Sequence, residues 1–220
     1  MSVIAIVPVR EGSKRVNDKN FREFFEGKNL LQLKLNQLTK SNKIDKIIVA
    51  SNSKRAKLEA ERFGVDFFER SDYMCNDAKL HEYLMEMLNP CDAVDDVLWA
   101  MVTNPLFEKY DSCIDAYYSS KQVGHDSLVT TLNFRDFLVE EDSKRCINFD
   151  PGVCHTFTQN LPKWKQITGA VYMANVGVQR DMKYWMGRNP FYYDVSKIEA
   201  IEVDYMDDFK LAQIVARGMK

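Results

Sequence analysis

Glycine-rich phosphate signatures are missing from this chain. After Gly12 the next glycine is Gly27, so no G-x-x-x-x-G-K-[ST] loop can be drawn, and no G-x-G-x-x-G follows a strand. Zinc patterns are missing too. The cysteines Cys75, Cys91, Cys113, Cys146 and Cys154 form no C-x-x-C pair, and His81, His125 and His155 do not fall into register with them. Such an odd, scattered set reads as free thiols rather than a disulfide frame, with Cys113 as core filler. Net charge is small, −2 with a pI near 6.0, which argues against a dedicated nucleic-acid binder. No apolar run approaches the ~18 residues of a membrane span. The N-terminus enters a strand directly, without the pattern of a secretory leader. These absences lead to the expectation of a cytoplasmic protein that engages neither membrane nor nucleic acid.

What the chain has is a regular alternation of short apolar runs and amphipathic segments. Residues 2–9 read as a buried parallel strand, apolar and β-branched. The leucines at 30, 31, 33, 35 and 38 follow as a helix, and 46–50 as a second strand. Ser53 caps the next helix, with Leu58 and Phe63 on its apolar face and Gly64 as its stop. Further strands are expected at 65–68, 94–102, 127–132, 169–174 and 198–203, and further helices at 79–88, 111–120, 176–186 and 207–219. This rhythm predicts one α/β domain over 1–220, a mostly parallel, Rossmann-like sheet flanked by helices with right-handed crossovers. At 220 residues and 45% hydrophobic content, such a domain can bury about seventy per cent of its unfolded surface. The rhythm breaks over 133–168, a polar stretch with Pro151, Gly152 and Pro162 and the aromatics Phe149, Phe157 and Trp164.

Ligands of open α/β sheets sit beyond the carboxyl ends of the strands. The loop at residues 10–20 hangs there. Gly12 lets its backbone approach an anion, and Arg10, Lys14, Arg15 and Lys19 supply the charge a polyphosphate needs. A solvated basic turn is the plain alternative. Near the other end of the chain, Glu202 and Asp204 stand at i and i+2, which puts both carboxylates on one face of the strand expected at 198–203. Two hard oxygen donors facing a triphosphate loop suit Mg²⁺, and a polar-faced edge strand is the alternative. Asp207 and Asp208 read as first-turn acids of the closing helix, where negative charge is favoured.

Residues 8–15, Pro-Val-Arg-Glu-Gly-Ser-Lys-Arg, followed by Lys19-Asn20, resemble the signature of the acylneuraminate cytidylyltransferases. That pattern runs Pro-Ala-Arg-x-Gly-Ser-Lys-Gly, a short gap, then Lys-Asn. The resemblance extends along the chain, through Arg70-Ser71 and Asp77, residues 102–106 (Val-Thr-Asn-Pro-Leu), residues 155–162 with Gln159, residues 168–172, and the Glu-Val-Asp of 202–204. It implies a nucleotidyltransferase fold similar to GT-A enzymes. It also implies a reaction in which the anomeric hydroxyl of a nonulosonic, sialic-acid-like sugar acid attacks the α-phosphorus of CTP and pyrophosphate leaves, for surface polysaccharide biosynthesis. By the same resemblance Arg10, Lys14 and Lys19 serve the triphosphate and its transfer. Ser13, Asn20, Arg70 and Asp77 serve the nucleotide, and Thr103, Asn104 and Gln159 the sugar acid. Asp204 with Glu202 holds Mg²⁺ or Mn²⁺. The stretch at 133–168 becomes a dimerisation arm and substrate lid of a homodimer.

The departures from that pattern fall on the sugar side. Met101 stands in place of a glutamine, and Phe107 and Phe157 each stand in place of an arginine. A phenylalanine cannot pair a carboxylate. The phosphate side is retained. Altered acceptor choice follows, an eight-carbon ulosonic acid or a sugar phosphate being the enzymatic alternatives and an inactive nucleotide-sugar-binding homologue the other. Met101 reads as a core residue, and Lys79 as a solvated first-turn residue.

Overall fold

The computed structural model describes residues 2–76 and 78–219. Strand β1 (Val3–Pro8) leads through a long loop to the hairpin β2 (Glu23–Phe25) and β3 (Lys28–Asn29), then helix α1 (Leu30–Leu38). There follow β4 (Lys46–Ser51), α2 (Lys54–Phe63), β5 (Asp66–Glu69), the short α3 (Asp72–Asn76) and α4 (Leu80–Met87). The second half holds β6 (Asp96–Ala100), α5 (Tyr110–Lys121), β7 (Ser127–Phe134), β8 (Trp164–Asn175), α6 (Val176–Met182), β9 (Pro190–Asp194) and α7 (Met206–Gly218).

Seven strands form one sheet in the order β5-β4-β1-β6-β8-β7-β9. The pairs from β5 through β6 are parallel, β8 runs antiparallel to both β6 and β7, and β9 pairs parallel with β7. The expected α/β architecture is therefore present, with β8 making the sheet mixed. Alternation along β1 explains the two layers. Val3, Ala5 and Val7 face a core with Leu30, Leu35, Ala56, Tyr117 and Phe209 from α1, α2, α5 and α7. Ile4 and Ile6 face the opposite core with Ile48, Trp99, Leu84 and Val176, under α4 and α6. Each fully buried large aliphatic side chain there is worth about 1.5–3 kcal/mol. No helix among the described residues is long and apolar enough to cross a membrane.

The helix ends follow local chemistry. Asn29 and Gln32 form a capping box at α1. The Ser53 hydroxyl accepts from the Ala56 amide at α2, and Gly64 closes that helix at φ 66°. The apolar face of α2 differs from expectation. Leu58 is 64% exposed, and the buried stripe is Ala56 and Ala60, small enough to bring the helix close to the sheet. Helix α6 is shorter than expected because Lys183 takes a left-handed φ of 51° and ends it.

Two corrections bear on the site. No strand forms at 198–203. Ser196 and Glu199 exchange backbone-to-side-chain hydrogen bonds of 2.8 and 3.2 Å, and these wind 197–200 into a turn despite the apolar pattern. Glu202, Val203 and Asp204 then run as an extended segment, tied to the turn after β6 through Val203 N to Thr103 O at 2.7 Å. The edge strand is β9, whose half-exposed aromatics gave no clean alternation. The irregular stretch is also shorter than 133–168. β7 and β8 pair out to Phe134 and Trp164, with a register shift after Val129, so the excursion proper spans 135–163.

Candidate active site

The loop after β1 is folded back on itself. The Asn20 side-chain amide donates to the Arg10 carbonyl at 3.0 Å, closing the loop's two ends. Gly12 sits at φ 75° and Asp18 at φ 54°, so the turns at both shoulders are left-handed. Arg55, on the first turn of α2, holds both shoulders at once. It donates from Nε to Glu11 at 3.0 Å and from Nη1 to Asp18 at 3.1 Å, and stacks over Phe21 at 4.2 Å. Ser53 adds a 2.6 Å hydrogen bond to Glu11. The two acids of the loop are thus neutralised from outside, and Arg10, Lys14, Arg15 and Lys19 remain as its excess charge. That arrangement holds both the Glu11 and Asp18 carboxyls below their ordinary range, through their bonds to Ser53 and Arg55.

These cations border a cleft of about 520 Å³ at the carboxyl ends of β1, β5 and β6. Arg10, Ser13, Lys14, Arg15, Lys19 and Asn20 line one part of it, with Arg70, Thr103 and Asp204. Apolar side chains supply much of the rest, among them Met74, Leu80, Tyr83, Met101 and Trp185. Arg10 leans across to the Cys75 carbonyl at 3.3 Å. Arg70 is only 4% exposed; it donates to the Met74 carbonyl at 2.7 Å and stacks over Tyr83 at 4.5 Å. The Oδ1 of Asn20 is buried and has no hydrogen-bond partner, an acceptor left over beside the cleft.

The acidic side comes from the extended segment before α7. Asp204 accepts from Arg15 Nη2 at 2.7 Å and lies 3.7 Å from Lys19 Nζ. Lys19 also donates to the Val203 carbonyl at 2.6 Å, and burial holds its ammonium below the usual range. Glu202 accepts from Thr103 Oγ1 at 3.2 Å. Burial first, then the negative charge of Asp204, hold the Glu202 carboxyl above its ordinary range. A side chain on Gly169 would stand 3.6 Å from the Glu202 carboxylate, and its φ of 71° disfavours one anyway. The first turn of α7 is capped by Asp208, which accepts from the Asp204 and Tyr205 amides at 3.1 and 2.7 Å.

The structure thus brings together Arg10, Ser13, Lys14, Lys19, Asn20, Arg70, Thr103 and Asp204, with Glu202 beside Thr103. Two expected residues stand apart, and a third, Asp77, lies outside the described residues. Asn104 is fully buried, its side-chain amide donating to the Thr168 carbonyl at 3.0 Å, so it braces the turn instead of facing a ligand. Gln159 sits on the excursion, in a short 3-10 turn, its carbonyl accepting from Arg135 at 2.8 Å, and does not line the cleft. Met101 is half-buried and lines the cleft, whereas Phe107 is core, edge-on to Tyr110. Lys79 is exposed as expected. Phe157 is 73% exposed on the excursion. The sequence reading passed over Arg55, the pairing of Arg15, and Lys34.

The sequence profile of the cytidylyltransferase family matches residues 4–135. An N-acylneuraminate cytidylyltransferase of Escherichia coli O18:K1:H7 is 25% identical over 96% of this chain and 51% of its own length. That of Streptococcus agalactiae serotype V is 25% identical over 95% of this chain and 52% of its own length. A Helicobacter pylori protein named pseudaminic acid cytidylyltransferase and UDP-2,4-diacetamido-2,4,6-trideoxy-beta-L-altropyranose hydrolase is 22% identical over 97% and 42%. The chain spans about half the length of the curated relatives it matches. Among solved structures, a CMP:2-keto-3-deoxy-manno-octonic acid synthetase complexed with CTP superposes with a TM-score of 0.69 at 12% identity, each chain fully covered. The 4-diphosphocytidyl-2C-methyl-D-erythritol synthase of Anaerococcus prevotii superposes at 0.68 and 11% identity over 98% of each chain. At such identities the likeness is one of fold.

Proposed function

From the premise that this chain belongs to the cytidylyltransferase family, we propose that it transfers CMP from CTP to the anomeric hydroxyl of a nonulosonic sugar acid, releasing pyrophosphate. One observation carries the reading. A clamped cationic loop and the Asp204 carboxylate, 189 residues apart in sequence, face one cleft and meet through the contact of Arg15 with Asp204, with Glu202 behind on Thr103. A triphosphate needs the first, and its counter-ion the second.

In this reading Arg10, Lys14 and Lys19 take the triphosphate oxygens, with Ser13 and Asn20 on the nucleotide. The attack at the α-phosphorus asks little covalent chemistry of the protein. Positioning and neutralisation of the departing pyrophosphate do most of the work. Glu202 and Asp204 fit a hard divalent cation, since both offer carboxylate oxygens two residues apart beside the cleft, and burial with the neighbouring Asp204 charge, which a cation would offset, holds the Glu202 carboxyl above its ordinary range. Mg²⁺ or Mn²⁺ held there would supply charge neutralisation to the phosphates. Arg70 buttresses the nucleotide end through Met74 and Tyr83. The apolar lining by Met101 and Trp185 suits an acceptor with less polar surface than a fully hydroxylated sugar. The excursion at 135–163, with Ile147, Val153 and Phe157 exposed, is the homodimer arm of this reading.

The clamp gives a first expected result. Arg55→Ala raises the KM for CTP about three- to tenfold with kcat little changed, and Arg55→Lys does not rescue it, because an ammonium cannot fork to two carboxylates. Steady-state kinetics over a CTP series measures this. The reaction itself is tested by pyrophosphate release with CTP and Mg²⁺ against a panel of 2-keto sugar acids, with UTP, GTP and ATP as controls. Release with CTP and one nine-carbon acid supports the reading. Release only with an eight-carbon acid or a sugar phosphate replaces the acceptor, and CTP binding without release from any pair replaces the activity.

A further inference from the structure

Arg15 occupies the last position of the Gly-Ser-Lys turn, where its guanidinium has two competing uses. It is a loop cation bordering the cleft, yet its Nη2 donates to Asp204 Oδ1 at 2.7 Å and its plane lies over the Tyr205 ring at 4.9 Å. The Lys19 ammonium stands 3.7 Å from the same oxygen. The carboxylate assigned above to a divalent cation is therefore already covered by the loop's own positive charge. Both partners of the pair are about half exposed, so the contact can open without disturbing the core. A guanidinium paired with Asp204 has much of its charge compensated there, so the carboxylate competes with a phosphate for it, and a divalent cation beside it meets like charge. A triphosphate entering the loop offers Arg15 a stronger, multiply charged acceptor.

We propose that Arg15 is a placeholder cation. It occupies Asp204 while the cleft holds no nucleotide and passes to the phosphates when CTP arrives, so that metal binding is coupled to nucleotide binding. The proposal rests on the metal assignment of Asp204 made above. It makes Arg15 a positioning residue whose two partners compete for its charge, and by linkage the coupling acts equally in both directions.

Two equilibrium measurements on the full chain, neither involving turnover, test it. The first is Mn²⁺ affinity in the absence of nucleotide, read by the paramagnetic signal of free Mn²⁺. The second is CTP affinity in EDTA, read by calorimetry. Arg15→Gly is expected to bind Mn²⁺ about tenfold tighter and CTP several-fold weaker than the parent chain. A loop that is merely damaged would weaken both, so the opposite signs are the signature. Arg15→Gln, which keeps a side chain in the turn, should move both affinities the same way. Asp204→Asn should lose the Mn²⁺ site and, by freeing Arg15, bind metal-free CTP more tightly. Unchanged or weaker Mn²⁺ binding by both Arg15 variants overturns the placeholder while leaving the metal site standing. Mn²⁺ binding that survives Asp204→Asn overturns the metal assignment, and the placeholder with it.

Discussion

Asp204→Ala lowers metal-dependent turnover by about a thousandfold or more and leaves the fold intact. The fold is spared because the carboxylate is half exposed and caps no helix; Asp208 does that for α7. Turnover is lost because the truncation leaves Glu202 alone to hold a divalent cation. The same truncation frees Arg15 and Lys19 for the phosphates, so CTP binding is retained and the loss is concentrated in kcat. Pyrophosphate release measured over a Mg²⁺ titration checks this, with a thermal melt as the control for folding. A variant that turns over at the parent rate would remove Asp204 from the metal site.

The second large effect concerns Lys34, which is completely buried beneath the cleft floor. Its ammonium donates to Tyr110 Oη at 2.6 Å, to the Asn104 carbonyl at 2.9 Å and, at 3.5 Å, to the Phe107 carbonyl. The amine thus braces the turn that presents Thr103. Burial pushes its pKa down from 10.5 to about 7. Below pH 7 the residue is charged in both folded and unfolded chains, and the folded state carries the full cost of a desolvated charge. Above pH 7 the folded chain releases the proton while the unfolded chain keeps it up to about 10.5. The unfolded state then binds the extra proton, so stability rises with pH across that window. Relative to Lys34→Met, the parent chain gains about 3 kcal/mol between pH 7 and pH 9.5. Urea denaturation of both proteins at several pH values measures the difference. The buried thiols Cys75, Cys91 and Cys113 act in the opposite sense at alkaline pH, because burial raises them and the unfolded chain loses their protons first. Both proteins share those thiols, so the comparison cancels them. A parent-minus-variant difference that is flat from pH 7 to 9.5 would contradict the buried, depressed amine.

The parts of the fold that were legible in the sequence are those set by neighbours along the chain. The five-residue apolar start of β1, the Ser53 cap and the Gly64 stop each need only a few residues, and each is where it was expected. The cationic loop was legible for the same reason. Partnerships across the chain were not. Asn104, a polar residue after a strand, has the look of a ligand contact. The Thr168 carbonyl, brought in by β8, and the more distant Ile201 carbonyl turn its amide inward. The run at 198–203 has the composition of a strand, yet the Ser196–Glu199 exchange winds its start and β9 takes the edge position. Lys34 did carry a signal. It falls three residues after Leu31 and four after Leu30, on the leucine stripe of α1, where a lysine must be buried and must find acceptors. Arg55 carried none, because nothing local says that one guanidinium reaches Glu11 and Asp18 together.

The 189-residue span between Arg15 and Asp204 sets a schedule for the ribosome. At about 5–20 residues per second, the cationic loop emerges roughly ten to forty seconds before its acidic counterpart is made. During that interval the loop's four cations outnumber its two acids, Glu11 and Asp18, and Arg15 has no Asp204 to pair with, while β1 gains its parallel neighbours β4 and then β6. The segment that leads into α7 supplies Asp204, so the charge balance of the cleft is completed only when that segment is in place.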